Sequence, residues 1–516
     1  MNQFELALAK YIQEFAPIPV VDIEQHFNKS KSTISRSINK INNLIENKDF
    51  IHFDKQIINT NFSYFGYTRL LNKLTLTQYH TNSNERIRAL LVEMTLNDVV
   101  NRKQFYYRFG TSDTTQKNDR QQFNATLAQL GLGYEVVARI GSRLTGSERH
   151  IRVQATKALL NTLELDKDNQ LTEHISNTPV NRLMASQFLE YCQQHLAPAV
   201  TLFNKIENHY HLKLSYNSKK FILIYFAISL RRISINHLNV SHLEVIDFSA
   251  QELSILENKN ENRLANQIIS SLTFHAGKYN CYDLMLTPLV EQFTHQLKQN
   301  IRTQIHNEQD FYADVYSVIT RCLYQATLDI TFPDKKLLNV ANKHAYVYGL
   351  VKTHITQVEK TAGIRLDDNH LATITMVIKK YVVQNKAVTR ERARIYLISN
   401  SSESKLGYFI EKLKTRFHVE VKGIVNSNEI IHIPDDEYDL LITFTNKISR
   451  YLSFHGKTSV KLGYQLKESD FRQLQALGLS RSARKIPADE FVNQIQGLTP
   501  HEIRHLLKSH FPEHFI

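Results

Sequence analysis

The sequence predicts a mainly α-helical chain of several domains, with a small parallel-sheet α/β domain towards its C-terminal end. The chain has 516 residues, room for three or four ordinary domains. Only 15 Gly and 10 Pro punctuate it, and apolar residues recur at helical spacing over most of its length. After residue 391 short apolar runs alternate with helical segments, as in a parallel sheet. Hydrophobic residues make up 42% and charged residues 22%, which favours folded domains over wholesale disorder.

Phe4, Leu8, Tyr11 and Phe15 share one face of a first helix, and Pro17 and Pro19 end it. Ile23 and Phe27 belong to a short second helix. Asn28, Lys29 and Ser30 read as a tight turn, with Ser30 suited to N-cap a third helix. In that helix Ile34, Ile38, Ile41 and Ile45 face inward. Its outer face carries Lys31, Ser32, Thr33, Ser35, Arg36, Asn39, Lys40 and Asn43, with no carboxylate. Short helix, tight turn and helix together make a helix-turn-helix unit. Such a face suits a major groove, because Arg pairs bidentately with guanine, Asn with adenine, and small hydroxyls admit the backbone. Any three-helix bundle turns one polar face to water. Acidic residues normally interrupt a merely solvated face, however, and none does here. FIHFDKQIIN alternates about Asp54 and Lys55 like a two-stranded wing, which gives a first unit at 1–66 and a linker at 67–80.

A second unit is expected at 81–155. Ile87, Leu91 and Met94 lie on one helix face, and an aromatic cluster from Phe105 to Phe109 precedes a break at Gly110-Thr111-Ser112. The helix from Thr114 turns Phe123, Leu127 and Leu130 inward and Lys117, Asn118, Arg120 and Gln121 outward. GYEVVARIGSRLTG reads as another hairpin wing, and GSERHIR closes the segment. Charge agrees with a polyanion partner at this end: the first 160 residues hold 21 basic and 14 acidic side chains of the chain's 63 and 50.

The three cysteines, Cys192, Cys281 and Cys322, stand far apart, which excludes a cysteine zinc framework and fits a reducing cytosol. Charges inside the first apolar stretch argue against a signal peptide. The longest apolar run, Phe221–Leu230, is far shorter than the ~20 residues of a spanning helix, so no membrane partner is expected.

SKSTISR (Ser30 to Arg36) is similar to the recognition helix of winged-helix bacterial regulators. The Ser112, Thr115, Asp119 spacing, Gly133-Tyr134 and GSERHIR resemble the second helix-turn-helix of PRD-containing regulators of the Mga/AtxA and mannitol-operon activator type. Gln116 departs from that pattern, which has an apolar residue there. KIENHYHLKLSYN (205–217) and QVEKTAGIRLDDN (357–369) match each other locally and hint at a duplicated helical unit. YFAISLRRI (225–233), the segment 260–284 and the segment 342–378 resemble the paired helical PRD modules of such regulators. The resemblance therefore implies PRD-like modules at 156–290 and 291–390. Relatives carry phosphorylated histidines in these modules, but the matching positions here are Tyr225, Val318 and Val377. His209, His211, His344, His354 and His370 fall at other phases.

RIYLIS, VEVKGIV, DLLITFT and SVKLGYQL read as strands, and the region 391–516 resembles a phosphotransferase IIB-like domain. That resemblance implies a cysteine after the first strand, where Ser399 stands. The loop Asn400 to Glu403 also lacks glycine, so phosphoryl transfer is expected to be lost. HEIRH (501–505) fits the zincin HExxH pattern, but Thr499 and Glu502 also fit a capping box at a helix start, the simpler account.

The implied function is a cytoplasmic, sequence-specific transcriptional regulator acting on double-stranded DNA, an activator of virulence or carbohydrate-uptake genes. It would work as a homodimer or higher oligomer, with phosphotransferase-system proteins or RNA polymerase as further partners. No catalytic residue, metal or cofactor is expected, and phosphorylation sites are left open. The alternatives are an RNA-binding antiterminator, whose RNA-binding domain would be a small β-structure, and a degenerate phosphotransferase-system component.

Overall fold

The computed structural model describes residues 1–45, 49–210, 213–235, 237, 253–276, 285–300, 307–332, 337–384, 393–401, 403–434, 437–476, 479, 495–496 and 498–510. Its first 160 residues repeat one arrangement. The first copy runs α1 (Gln3–Phe15), β1 (Ile18–Pro19), α2 (Val20–Phe27), α3 (Lys31–Asn42), hairpin strands β2 (Ile51–Asp54) and β3 (Ile57–Thr60), and α4 (Tyr64–Lys73). The second runs α5 (Ser83–Asn97), β4 (Val99–Val100), α6 (Arg102–Tyr107), α7 (Asp113–Gln129), β5 (Leu132–Val137), β6 (Gly141–Gly146) and α8 (Glu148–Leu159). In each, the two-residue strand pairs antiparallel with the second hairpin strand, giving sheets ordered β1-β3-β2 and β4-β6-β5.

The repetition reaches single atoms. Capping boxes open α1 and α5, Asn2 with Glu5 and Asn82 with Glu85. A left-handed residue precedes each long helix, Asn28 at φ 50° and Gly110 at φ 59°. Beside it a serine and threonine hydroxyl pair, Ser30 with Thr33 at 3.1 Å and Ser112 with Thr115 at 3.0 Å. Gly141 is needed for close approach: a Cβ there would meet the Val100 carbonyl oxygen at 2.4 Å. The copies touch through Asn82, whose amide donates to Gln3 Oε1 at 2.6 Å.

Residues 67–80, expected as a linker, include most of α4. Tyr67, Leu70, Leu71 and Leu74 recur at helical spacing and are buried, so this stretch packs as part of the first copy.

The middle of the chain is helical. A hairpin, β7 (Leu163–Leu165) and β8 (Leu171–Glu173), leads into α9 (Pro179–Tyr191), α10 (Gln193–Tyr210), β9 (Lys213–Leu214), α11 (Tyr216–Ser234), α12 (Lys259–Ser270) and β10 (Phe274–Ala276). Then follow α13 (Leu286–Asn300), α14 (Glu308–Leu328), α15 (Val340–Lys343), α16 (Ala345–His354), α17 (Thr356–Ala362) and α18 (Asp368–Gln384). The two similar phrases occupy equivalent places, the turns entering α11 and α18. Ser215 accepts the amide of Ser218 and Asp367 that of His370, the same i to i+3 cap.

One buried charge cluster joins the second copy to this middle region. Arg152 on α8 is fully buried. It donates to Glu261 on α12 at 2.6 and 3.0 Å, to Glu148 one turn back at 2.9 Å, and to the His237 carbonyl at 2.7 Å. Arg232 on α11 donates twice to Glu148 at 2.7 Å and once to the Thr95 carbonyl of α5 at 3.1 Å. Burial works to raise the Glu148 pKa, but the hydrogen bonds and charges of Arg232 and Arg152 outweigh it and hold the carboxyl below its usual range.

The last region holds β11 (Ala393–Ile398), α19 (Glu403–Lys414), β12 (Val419–Val425), β13 (Leu440–Thr443), α20 (Asn446–Phe454), β14 (Val460–Lys461) and α21 (Glu468–Ala476), with α22 (Pro500–His510) beyond. Its strands form one parallel sheet ordered β12-β11-β13-β14, covered on both faces. Among the described residues no helix is long and apolar enough to cross a membrane.

Glu148→Gln should lower stability by about 3–5 kcal/mol near neutral pH, because two buried guanidinium groups lose a shared carboxylate. Since folding depresses the Glu148 pKa, its contribution is complete above the ordinary carboxylate value near ~4.3 and is lost as pH falls through the folded value. Urea denaturation of parent and variant should therefore show a gap at about pH 7 that narrows towards about pH 3.

Candidate nucleic-acid interface

Helix α3 owes its orientation to Ile34, Ile38 and Ile41, each no more than 1% exposed. Burying that edge leaves Lys31, Ser32, Arg36, Asn39, Lys40 and Asn43 exposed, with Thr33 and Ser35 half-buried at its flanks. Among the described residues Arg36 Nε bonds within its own helix, to the Ser32 carbonyl at 3.3 Å. Lys40 differs from the others: its ammonium lies 2.9 Å from Glu5 Oε1 on α1, so its charge is partly spent inside the unit. Helical periodicity shows that Lys40 points outward, but the partner is contributed by a helix 35 residues earlier.

Helix α7 repeats the geometry. Phe123 and Leu127 are buried, Leu130 is half-buried at the C-cap, and Thr114, Lys117, Asn118, Arg120 and Gln121 are exposed. Asp119 turns inward. It accepts from Arg86 on α5 at 2.6 and 3.0 Å and from Ser83 at 2.6 Å, with both charged side chains almost wholly buried. This pair removes a carboxylate from the outer face and fixes the rotation of α7. Gln116 is half-buried and donates its side-chain amide to the Thr111 carbonyl at 3.1 Å, so it holds the preceding turn where an apolar residue would pack.

Sequence periodicity alone did not single out Arg102, whose guanidinium lies 4.4 Å over the Tyr134 ring. Arg120 Nε reaches the same tyrosine's hydroxyl at 3.3 Å. Burial works to raise the Tyr134 pKa, but hydrogen bonds from Arg102 and Arg120 win and set it below the usual phenol value. Tyr134 thus couples the wing to the helix that carries Lys117 and Asn118. The hairpin tips add exposed cations, Lys55 at φ 56° and Arg139 at φ 64°.

The other candidate residues lie elsewhere. Tyr225 is fully buried, and burial pushes its pKa up to about 12. Val318 is buried and Val377 half-buried. His209 is exposed, His344 and His354 are half-buried, and His370 is buried with Asp367 at 2.8 Å; His211 lies outside the described residues. Cys192 and Cys322 are buried, with thiol pKa values pushed up to about 12 by burial, while Cys281 lies outside the described residues. Ser399 stands at the end of β11, 1% exposed. Its oxygen accepts the Ser401 amide at 3.1 Å and lies 2.9 Å from the Tyr464 hydroxyl. Ser402 and the Glu403 side chain are outside the described residues, as are the side chains of His501 and His505. Glu502 caps Thr499, accepting its amide at 2.8 Å.

Replacing Arg36 or Lys117 by alanine should change stability by less than about 0.5 kcal/mol, since neither holds the fold. Arg86→Ala should cost about 3–5 kcal/mol, because Asp119 is left charged and buried. Urea midpoints of the three variants check both expectations.

Residues 291–381 match the family model of the PRD domain. The match covers α14 to α17 whole, with most of α13 and α18. No curated protein matches the chain. A PRD domain points to regulation by components of the phosphotransferase system.

Proposed function

We propose that the chain is a sequence-specific DNA-binding transcriptional regulator that reads duplex DNA through α3 and α7. The observation that carries this reading is the repeated arrangement of short helix, left-handed turn, long helix and hairpin. Both long helices turn an exposed cationic, amide-bearing and hydroxyl-bearing face outward. On this reading each copy is a winged helix-turn-helix domain, of the Mga type in the second. The segment 156–290 is a PRD-like module preceding the PRD domain. The tail is a IIB-like domain that has lost transfer chemistry and serves docking or dimer contact. The chain acts as a homodimer in the cytoplasm, takes its signal from phosphotransferase-system proteins and needs no catalytic group of its own.

An antiterminator would share the PRD domain, but helical units suited to a major groove favour duplex DNA over an RNA hairpin. Gel shift with duplexes selected from a random pool, against hairpin RNA, separates the two. Arg36→Ala should weaken specific binding by about 1–3 kcal/mol through loss of a base contact. Lys117→Ala should weaken all duplexes similarly and reduce the salt slope by about one unit. Lys40 suits that measurement less well because Glu5 holds it. Equal affinity of parent and both variants for DNA, or preference for the hairpin, contradicts the reading.

Phosphorylated carrier protein should leave residues 391–516 unlabelled, because Ser399 offers a buried hydroxyl rather than a thiolate. Stoichiometric label at Ser399, mapped by mass spectrometry, is the contrary result.

A further inference from the structure

A cavity of about 790 Å³ opens where the first N-terminal copy, the β7–β8 hairpin and the parallel-sheet domain meet. That volume lies within the ~300–1,000 Å³ of small-molecule sites, which favour junctions of this kind. Helix α4 contributes Phe65 to the wall, the hairpin region Leu165 and Ile175, and α20 Ile448, Tyr451 and Phe454. Phe65, Ile175 and Phe454 are 60%, 55% and 79% exposed, and Tyr451 is exposed too. Large apolar side chains left in water are ordinarily scattered singly. Here four of them, from three regions far apart in sequence, gather round one hollow.

Polar clamps hold those three regions in place, so the cavity is preformed. The Asn428 side-chain amide donates to the Leu165 and Asp166 carbonyls at 2.7 and 2.8 Å, tying the sheet domain to the hairpin. Lys447 of α20 reaches Glu164 on β7 at 3.4 Å. Beside it the Asn446 backbone amide donates to Glu14 Oε1 at 3.1 Å, and its side chain to the Glu14 carbonyl at 2.7 Å, which ties α20 to α1 of the first copy.

The charges of the wall select the kind of ligand. Besides two histidines, the described lining residues include three carboxylates, Glu164, Asp166 and Glu173, and three cations, Lys167, Lys447 and Arg450. Glu164 is met by Lys447, and Glu173 by Arg182 at 3.6 Å from outside the lining. A wall balanced in this way offers an ion of either sign little net attraction, while its exposed rings and aliphatic groups favour apolar surface. A stable contact with a second copy takes about 20–30 residues a side, whereas the exposed apolar part here is four side chains around a hollow.

We propose that this junction binds an uncharged, largely apolar small molecule, seated between Phe65 of the first copy, Ile175 of the hairpin region and Phe454 of the sheet domain. Bound there, it contacts all three regions at once and favours their docked arrangement by mass action. The site does not depend on whether the chain binds DNA.

Fluorescence titration of the full chain with N-phenyl-1-naphthylamine, an uncharged dye that brightens in apolar surroundings, tests this against the sulfonated analogue of the dye. The uncharged probe should saturate at one per chain and bind more tightly than the sulfonate. Phe65→Ser with Phe454→Ser should weaken it by about tenfold or more. Both rings are exposed, so the double variant should fold. Tyr107→Ser, at an exposed ring of α6 outside the cavity wall, should bind as the parent does. Absence of saturation, unchanged affinity in the double variant, or preference for the sulfonate overturns the proposal. Sedimentation in which the double variant dissociates a dimer that binds no probe gives the face to a second copy and overturns it equally.

Discussion

A buried guanidinium is tolerated only where carboxylates and carbonyls take all its donors, and Arg152 sets that condition on the middle of the chain. Satisfying it brings α8 and α12 together, and the shared Glu148 brings in Arg232 of α11, which also caps the α5 carbonyl of Thr95. Neither arginine is satisfied if the second helical copy separates from the helical middle. The arrangement therefore makes the second N-terminal copy and the helical middle one mechanical unit. A change in the packing of α11 or α12 must be felt by α8, which directly follows the second wing.

The two N-terminal copies share caps, turns and sheet order but not chemistry at their outer faces. Helix α3 carries no carboxylate at all, whereas α7 begins with exposed Asp113 and hides Asp119 against Arg86. The first copy is thus the more anion-seeking helix. The second gains cations from outside its long helix, Arg102 on α6 and Arg139 at the wing tip. If the proposed reading holds, unequal faces on equal scaffolds suit two dissimilar half-sites better than a repeated one.

Much of this was legible in the sequence, because apolar spacing sets which edge of a helix is buried. Ile34, Ile38 and Ile41 gave the rotation of α3, and Phe123 with Leu127 that of α7. The parallel sheet followed from short apolar runs separated by helices. Pairings across long separations were not legible. Nothing local shows that Lys40 meets Glu5, that Arg152 meets Glu261, or that α4 packs where a linker was expected. Two successive helix-turn-helix units with wings were expected at 1–66 and 81–155, but their matching capping boxes and left-handed turn residues were not legible.

The central claim is that α3 and α7 both enter DNA, and crosslinking tests it most directly. A photoreactive side chain placed at position 36, at position 117, or at position 72 on α4 would be irradiated with a duplex selected from a random pool. The account expects crosslinks from positions 36 and 117 to bases in separate segments of the selected site, and none from position 72. Crosslinks from neither long helix to a duplex that the full chain binds would contradict it.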